Sequence, residues 1–168
     1  MVIVRGTRKF LMRLSGPVAA DAERSTTMLG DWYATVLPWR PRQIALLVSE
    51  TTLLPVIVPM APASTLLERF PTSLAAVLRR HRVDEAVIAK ECSGMVDYRV
   101  GTTESRSLIG SMNEFTHLAR AYRADQQDLD LLDLSVRLSR VPCGPLYQRH
   151  VSPDRELLAL IQSATTNG

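Results

Sequence analysis

Residues 32–58 read WYATVLPWRPRQIALLVSETTLLPVIV, and this stretch decides the fold. Trp32-Tyr33-Ala34-Thr35-Val36-Leu37 is rich in aromatic and β-branched residues, Pro38-Trp39-Arg40-Pro41 breaks it, and Ile44 to Val48 resumes as a continuous apolar run. Polar Ser49-Glu50-Thr51-Thr52 separates that run from another, Leu53 to Val58. Short runs of this kind bounded by turn residues are the pattern of strands. Three in succession with short connections predict an antiparallel meander near 32–59. Pro55 has no N–H to give to a ladder, so its strand is expected at a sheet edge or a bulge. Leu29, Tyr33 and Val36 also fit a helical stripe, which leaves a helix open for the first segment.

Working outward, Val2-Ile3-Val4 reads as a short buried strand, followed by a brief helix around Phe10, Leu11 and Leu14 that Ser15-Gly16-Pro17 ends. Val18 to Thr27 is small and polar, the pattern of a mobile loop. Past Pro62 the period changes: Leu67, Phe70, Leu74, Val77 and His81 step by three and four, one buried face of a helix. Pro71 inside it predicts a kink or a break into two helices. Asp84-Glu85 opens a short helix, Tyr98-Arg99-Val100 a strand, and Leu108, Met112, Phe115, Ala119 and Tyr122 mark the strongest helix. Another runs from Leu129 to Leu138 with Asp128 or Asp130 as its cap. Ser152-Pro153-Asp154, with Ser at the cap and Pro at the first helical position, starts the last helix, and 165–168 are expected to fray. Strands first and helices later argue for α+β: a single domain over 1–164, with a mainly antiparallel sheet of four to five strands and five to six helices gathered in the C-terminal half.

The chain has 168 residues, 46% hydrophobic and 22% charged, so it is long enough for one core and close to the average globular composition. Twenty basic residues oppose 17 acidic ones for a net +3, and Lys9 and Lys90 are the only lysines. An excess this small, spread along the chain, makes no stripe for a phosphate backbone. Cys92 and Cys143 lie far apart in no CxxC pair and read as ordinary thiols. The N-terminus lacks a signal-peptide pattern and no apolar run reaches the ~18 residues of a membrane span, so a cytoplasmic location without membrane contact is expected.

Four groups of residues are candidate sites. Thr102, Thr103, Ser105 and Arg106 sit in a turn from strand to helix, where free N–H groups, hydroxyls and a guanidinium suit an anion, with Asn113 of the following helix a further candidate contact. No Gly-Lys pair of a Walker loop is present, and the structural reading is a helix cap by Ser105 or Ser107 with Arg106 paired to a carboxylate. On the following helix Asn113, Glu114, His117 and Arg120 share a polar side. Glu114 and His117 are candidates for proton transfer, while Asn in place of the first histidine removes the zincin pattern, and no metal or cofactor is expected. Trp39, Arg40 and Arg42 combine the residue types that anchor partners, with Trp39 hard to bury between two prolines. Arg79-Arg80-His81-Arg82 is the one dense basic cluster and the candidate for a weak nucleic-acid contact, beside Asp84 and Glu85.

Three blocks, Val2-Ile3-Val4-Arg5-Gly6-Thr7-Arg8-Lys9, Gly30-Asp31-Trp32-Tyr33-Ala34 and Arg106-Ser107-Leu108-Ile109-Gly110-Ser111-Met112-Asn113-Glu114-Phe115, carry a resemblance to a family of small uncharacterised bacterial proteins, common in actinobacteria and described as a domain of unknown function. The resemblance spans residues 2 to about 160 and implies a single cytoplasmic domain. It transfers no activity, cofactor or catalytic residue.

The leading expectation is a non-enzymatic regulatory or protein-interaction module that meets a protein partner, or a second copy of itself, around Trp39, Arg40 and Arg42. The competing expectation is an anion-binding or hydrolytic site at 102–117. A nucleic-acid binder using Arg79 to Arg82 is the third.

Overall fold

A computed structural model describes residues 1–168. Five strands, β1 (Val2–Gly6), β2 (Trp32–Trp39), β3 (Arg42–Ser49), β4 (Pro55–Pro59) and β5 (Tyr98–Thr102), form one mixed sheet in the order β4-β3-β2-β1-β5. The meander is present: β2 pairs antiparallel with β3 from Trp32↔Ser49 to Trp39↔Arg42, and β3 with β4. The Trp32 segment is therefore strand, because Trp32, Ala34 and Val36 face one buried layer while Tyr33 and Leu37 face another, the alternation of a strand covered on both sides. The parallel half comes from β1, which inserts between β2 and β5 and runs parallel to both.

Six helices cover the two faces. α1 (Arg8–Leu11), α2 (Leu66–Arg80), α3 (Glu85–Gly94) and α6 (Pro153–Thr166) pack over the face that carries Val4, Trp32 and Leu47. α4 (Arg106–Asp125) and α5 (Leu131–Ser139) cover the face that carries Tyr33, Leu46 and Ile57. The stripe Leu108, Met112, Phe115 and Ala119 is the buried side of α4, as its spacing predicts.

Pro71 neither ends α2 nor divides it; the helix is continuous from Leu66 to Arg80. Leu67, Phe70 and Leu74 on either side of it are buried in the core, and that burial offsets the backbone bond Pro71 cannot make. Asp130 caps α5 through the N–H of Asp133 at 3.1 Å, but Ser152 does not cap α6 with its side chain, because its hydroxyl turns to the Asp154 carboxylate instead. α6 runs to Thr166, so it includes the first two of the residues expected to fray.

The β4 edge of the sheet offers no free donor, and the β5 edge is bridged at Val100. Met60 N–H bonds Gln43 O at 3.0 Å, so the odd-numbered positions of β4 point away from β3. Two of them are Pro55 and Pro59, which have no N–H, and the third, Ile57, donates to the buried Ser135 hydroxyl of α5 at 3.0 Å. No donor is left for another strand, which is how natural sheets avoid edge pairing. On the opposite edge Val100 donates to Pro17 O at 2.8 Å and accepts from Ala19 N–H at 2.9 Å.

Those bonds belong to an anchored loop. The stretch 18–27 is irregular, as expected, yet tied down by a charge buried in β1. Arg5, 4% exposed, donates through Nε to Asp31 at 2.7 Å and through Nη1 to Glu104 at 3.0 Å. Nη2 reaches Glu23 O at 3.3 Å. Asp31 in turn accepts from the N–H and hydroxyl of Ser25 at 2.9 and 2.7 Å. Gly101 on the neighbouring strand leaves the room: a Cβ there would stand 3.3 Å from Arg5 Nη1.

Candidate functional site: a cationic hairpin end

β1 pairs with β2 only as far as Gly6↔Ala34, so Thr35 to Trp39 continue beyond it and, with β3, project as a hairpin closed by Arg40 and Pro41. Three hollows surround its end. One of 470 Å³ lies against the C-terminal half of α4 and is lined by Trp39, Arg40, Arg120 and Arg123. A second, 340 Å³, lies on the α1 side between Lys9, Met12, Arg13 and Val36. A third, 530 Å³, runs under the turn between Arg13, Arg42, Met60 and Ala61.

The electrostatics distinguish this end from the rest of the surface. Lys9, Arg13, Arg40, Arg42, Arg120 and Arg123 take part in no ion pair, and no carboxylate lines any of the three hollows. Elsewhere Arg5, Arg24, Arg79, Arg80, Arg99 and Arg149 hold carboxylates, while Arg8, Arg69, Arg82, Arg106, Arg137, Arg140 and Arg155 pair with none, so the hairpin end is set apart by the gathering of its cations. Arg79 holds Glu85 at 2.6 Å and Arg80 holds Asp133 at 2.7 Å, so two of the three arginines in the Arg79–Arg82 cluster already carry a carboxylate.

Trp39 is half-buried. The Arg123 guanidinium lies 4.4 Å from its ring centroid and also donates to the Arg40 carbonyl, which fixes the hairpin to α4. Arg42 stands opposite Trp39 in the hairpin register. The three residues singled out from sequence are thus brought together, and Arg120 and Arg123 join them from α4. Nothing local in the sequence links Arg123 to Trp39, since the contact depends on where α4 crosses the sheet.

The 102–117 block is arranged differently. Ser105 caps α4, its hydroxyl accepting from Leu108 N–H at 3.2 Å. Thr102 gives its carbonyl to Arg5 at 3.5 Å, Thr103 is half-buried, and Arg106 is exposed with no bonded partner. The Tyr33 phenol lies against the backbone N–H groups of Glu104 and Ser105; burial lifts it above the ordinary tyrosine range, while those N–H groups pull the other way. Asn113, Glu114 and His117 are exposed on α4 and make no hydrogen bond with one another. The other histidines are separate: His81, pushed below its ordinary range by burial, contacts the Ser139 hydroxyl at 3.1 Å, and His150 pairs with Glu156 at 2.8 Å. Cys92 and Cys143 are free thiols, with burial pushing Cys143 up to about 11.

A larger hollow of 690 Å³ lies between the loop at Met28, α3 and α6, walled by Lys90 and Glu91. Glu91 is the buried charge that sequence inspection passes over. Burial raises it above the ordinary carboxylate range against the pull of two N–H groups, and its oxygens accept from Met28 and Leu29 at 2.8 and 2.9 Å. Those bonds make it a brace for the loop entering β2.

Residues 3–156 match the family described as Domain of unknown function (DUF6933). The chain belongs to that family. No curated protein and no solved structure matches it. The DUF6933 match takes in the hairpin, α4 and the buried Arg5 network together, and no helix of this domain is long and apolar enough to cross a membrane.

Proposed function

We propose that this DUF6933 protein is a non-enzymatic regulatory module, cytoplasmic and acting as one domain over 1–164, that docks a protein partner on its hairpin end. The observation that carries this reading is the set of six cations in no ion pair around three hollows that also hold apolar side chains, Met12, Val36, Trp39 and Met60 among them. Cations interspersed with apolar side chains are complementary to a chain segment in which acidic and apolar side chains alternate. A nucleic-acid strand is a poorer match. Its bases need free aromatic faces to stack on, and the one aromatic ring here already carries Arg123.

The test uses a short fluorescein-labelled peptide of alternating aspartate and leucine. Its anisotropy should rise on titration with the protein and fall back as salt is added. Arg120→Glu/Arg123→Glu should weaken binding at least about tenfold, the equivalent of about 1.4 kcal/mol. No binding at low ionic strength, or equal binding by the variant, would remove the support for this surface.

A further inference from the structure

The hairpin end has a charged neighbour of opposite sign. α4 ends at Asp125 and α5 begins at Leu131, and the turn between them exposes Asp125, Asp128 and Asp130 with Leu129 half-buried among them. Asp125 and Asp128 make no ion pair, and the third carboxylate, Asp130, meets only the N–H of Asp133. The turn abuts the cationic end, because Gln127 lines the same hollow as Arg40, Arg120 and Arg123. Two complementary patches therefore lie side by side, and neither neutralises the other within one chain.

We propose that the hairpin end receives the Asp125–Asp130 turn of a second copy of this chain, in a twofold-symmetric dimer. The proposal rests on the docking reading above and names its partner. Adjacent patches of opposite sign are what an isologous interface requires: rotation about a twofold axis between them lays each positive patch on the other protomer's negative one, so every contact is made twice. The turn also has the composition the surface calls for, acidic residues around a leucine.

The test is a charge swap read by sedimentation equilibrium on the full chain. The wild type is expected at twice the 18.7 kDa of one chain in low salt, shifting to the monomer near about 0.5 M sodium chloride, where screening cuts exposed pairs to a few Å. Arg120→Glu/Arg123→Glu and Asp125→Arg/Asp128→Arg should each sediment as monomers, and an equimolar mixture of the two should return to the dimer mass. Circular dichroism checks that both are folded, and Arg40→Glu/Arg42→Glu replaces the first variant if it is not. A wild type that stays monomeric while still binding the aspartate-leucine peptide overturns the dimer and leaves the docking surface standing for another protein. Failure of both experiments overturns both readings. A dimer that persists in every variant places the contact elsewhere and equally overturns the proposal.

Discussion

Arg5→Ala is expected to cost about 3–5 kcal/mol of folding stability, the range for removing one partner of a buried ion pair. Nothing in water replaces what the guanidinium does here. Arg5 and Asp31 are 4% and 1% exposed, and loss of the arginine leaves the Asp31 carboxylate buried with only Ser25 to solvate it. The loop carbonyl of Glu23 and the carboxylate of Glu104 lose their shared donor at the same time. Arg5→Lys keeps the charge but not the fork, so it should recover only part of the loss. Arg5→Ala/Asp31→Ala should be less destabilised than the sum of the two single variants, since the double change leaves no unpaired charge. Urea unfolding followed by circular dichroism measures all three. A cost below about 1 kcal/mol for Arg5→Ala would mean that water reaches the site and the pair is not buried in solution.

Trp32→Ala is expected to cost a similar about 3–5 kcal/mol, by opening a cavity at the start of β2. Trp32 is fully buried, and its ring meets Phe70 of α2 edge-on at 4.9 Å. Its indole Nε1 is the one buried side-chain polar atom without a hydrogen-bond partner. Trp32→Phe separates the two effects. It keeps an aromatic ring against Phe70 and removes an unsatisfied N–H whose burial costs about 1–3 kcal/mol, so its net effect should stay within about 1.5 kcal/mol of the wild type. Equal losses for Trp32→Ala and Trp32→Phe in the same urea experiment would show that the indole nitrogen has a partner in solution.

The two substitutions also mark where sequence was informative. The meander is legible because its signals are local: β-branched runs, a proline-bounded turn, and Pro55 confined to an edge by its missing N–H. The buried stripe of α4 is legible for the same reason, and so are its serine cap and the aspartate cap of α5, although Ser105 over Ser107 and Asp130 over Asp128 is decided only in the structure. The parallel insertion of β1 is not, because Val2 finds Tyr98 and Val4 finds Trp32 through pairings that no local pattern encodes. Arg5 follows the apolar run Val2-Ile3-Val4, and nothing local marks it as buried. Its partners Asp31 and Glu104 come from distant segments, so its role emerges only in three dimensions. Pro71 shows propensity overridden, with tertiary burial carrying α2 through a residue that would break an isolated helix.

The hairpin end divides in the same way. Trp39, Arg40 and Arg42 stand out because an aromatic between two prolines is hard to bury, and they do lie at an open surface. Arg120 reads from sequence as one residue of a polar helix face, and Arg123 gives no signal at all. Lys9 and Arg13 belong to this surface only because α1 flanks the part of β2 that outruns β1. What sets the place apart is six cations around hollows that no carboxylate lines, a property of the folded surface.

That surface is tested most directly by mapping which arginines a bound acidic segment shields. The Asp125→Arg/Asp128→Arg variant, which leaves the hairpin end uncovered by a second copy, is treated with phenylglyoxal free and saturated with the aspartate-leucine peptide, and modification is read residue by residue by mass spectrometry. Protection is predicted at Arg13, Arg40, Arg42, Arg120 and Arg123, with Arg79, Arg82 and Arg106 reacting equally in both states. Protection centred on Arg79 to Arg82 or on Arg106, with the hairpin end still reactive, would contradict the assignment of the docking surface.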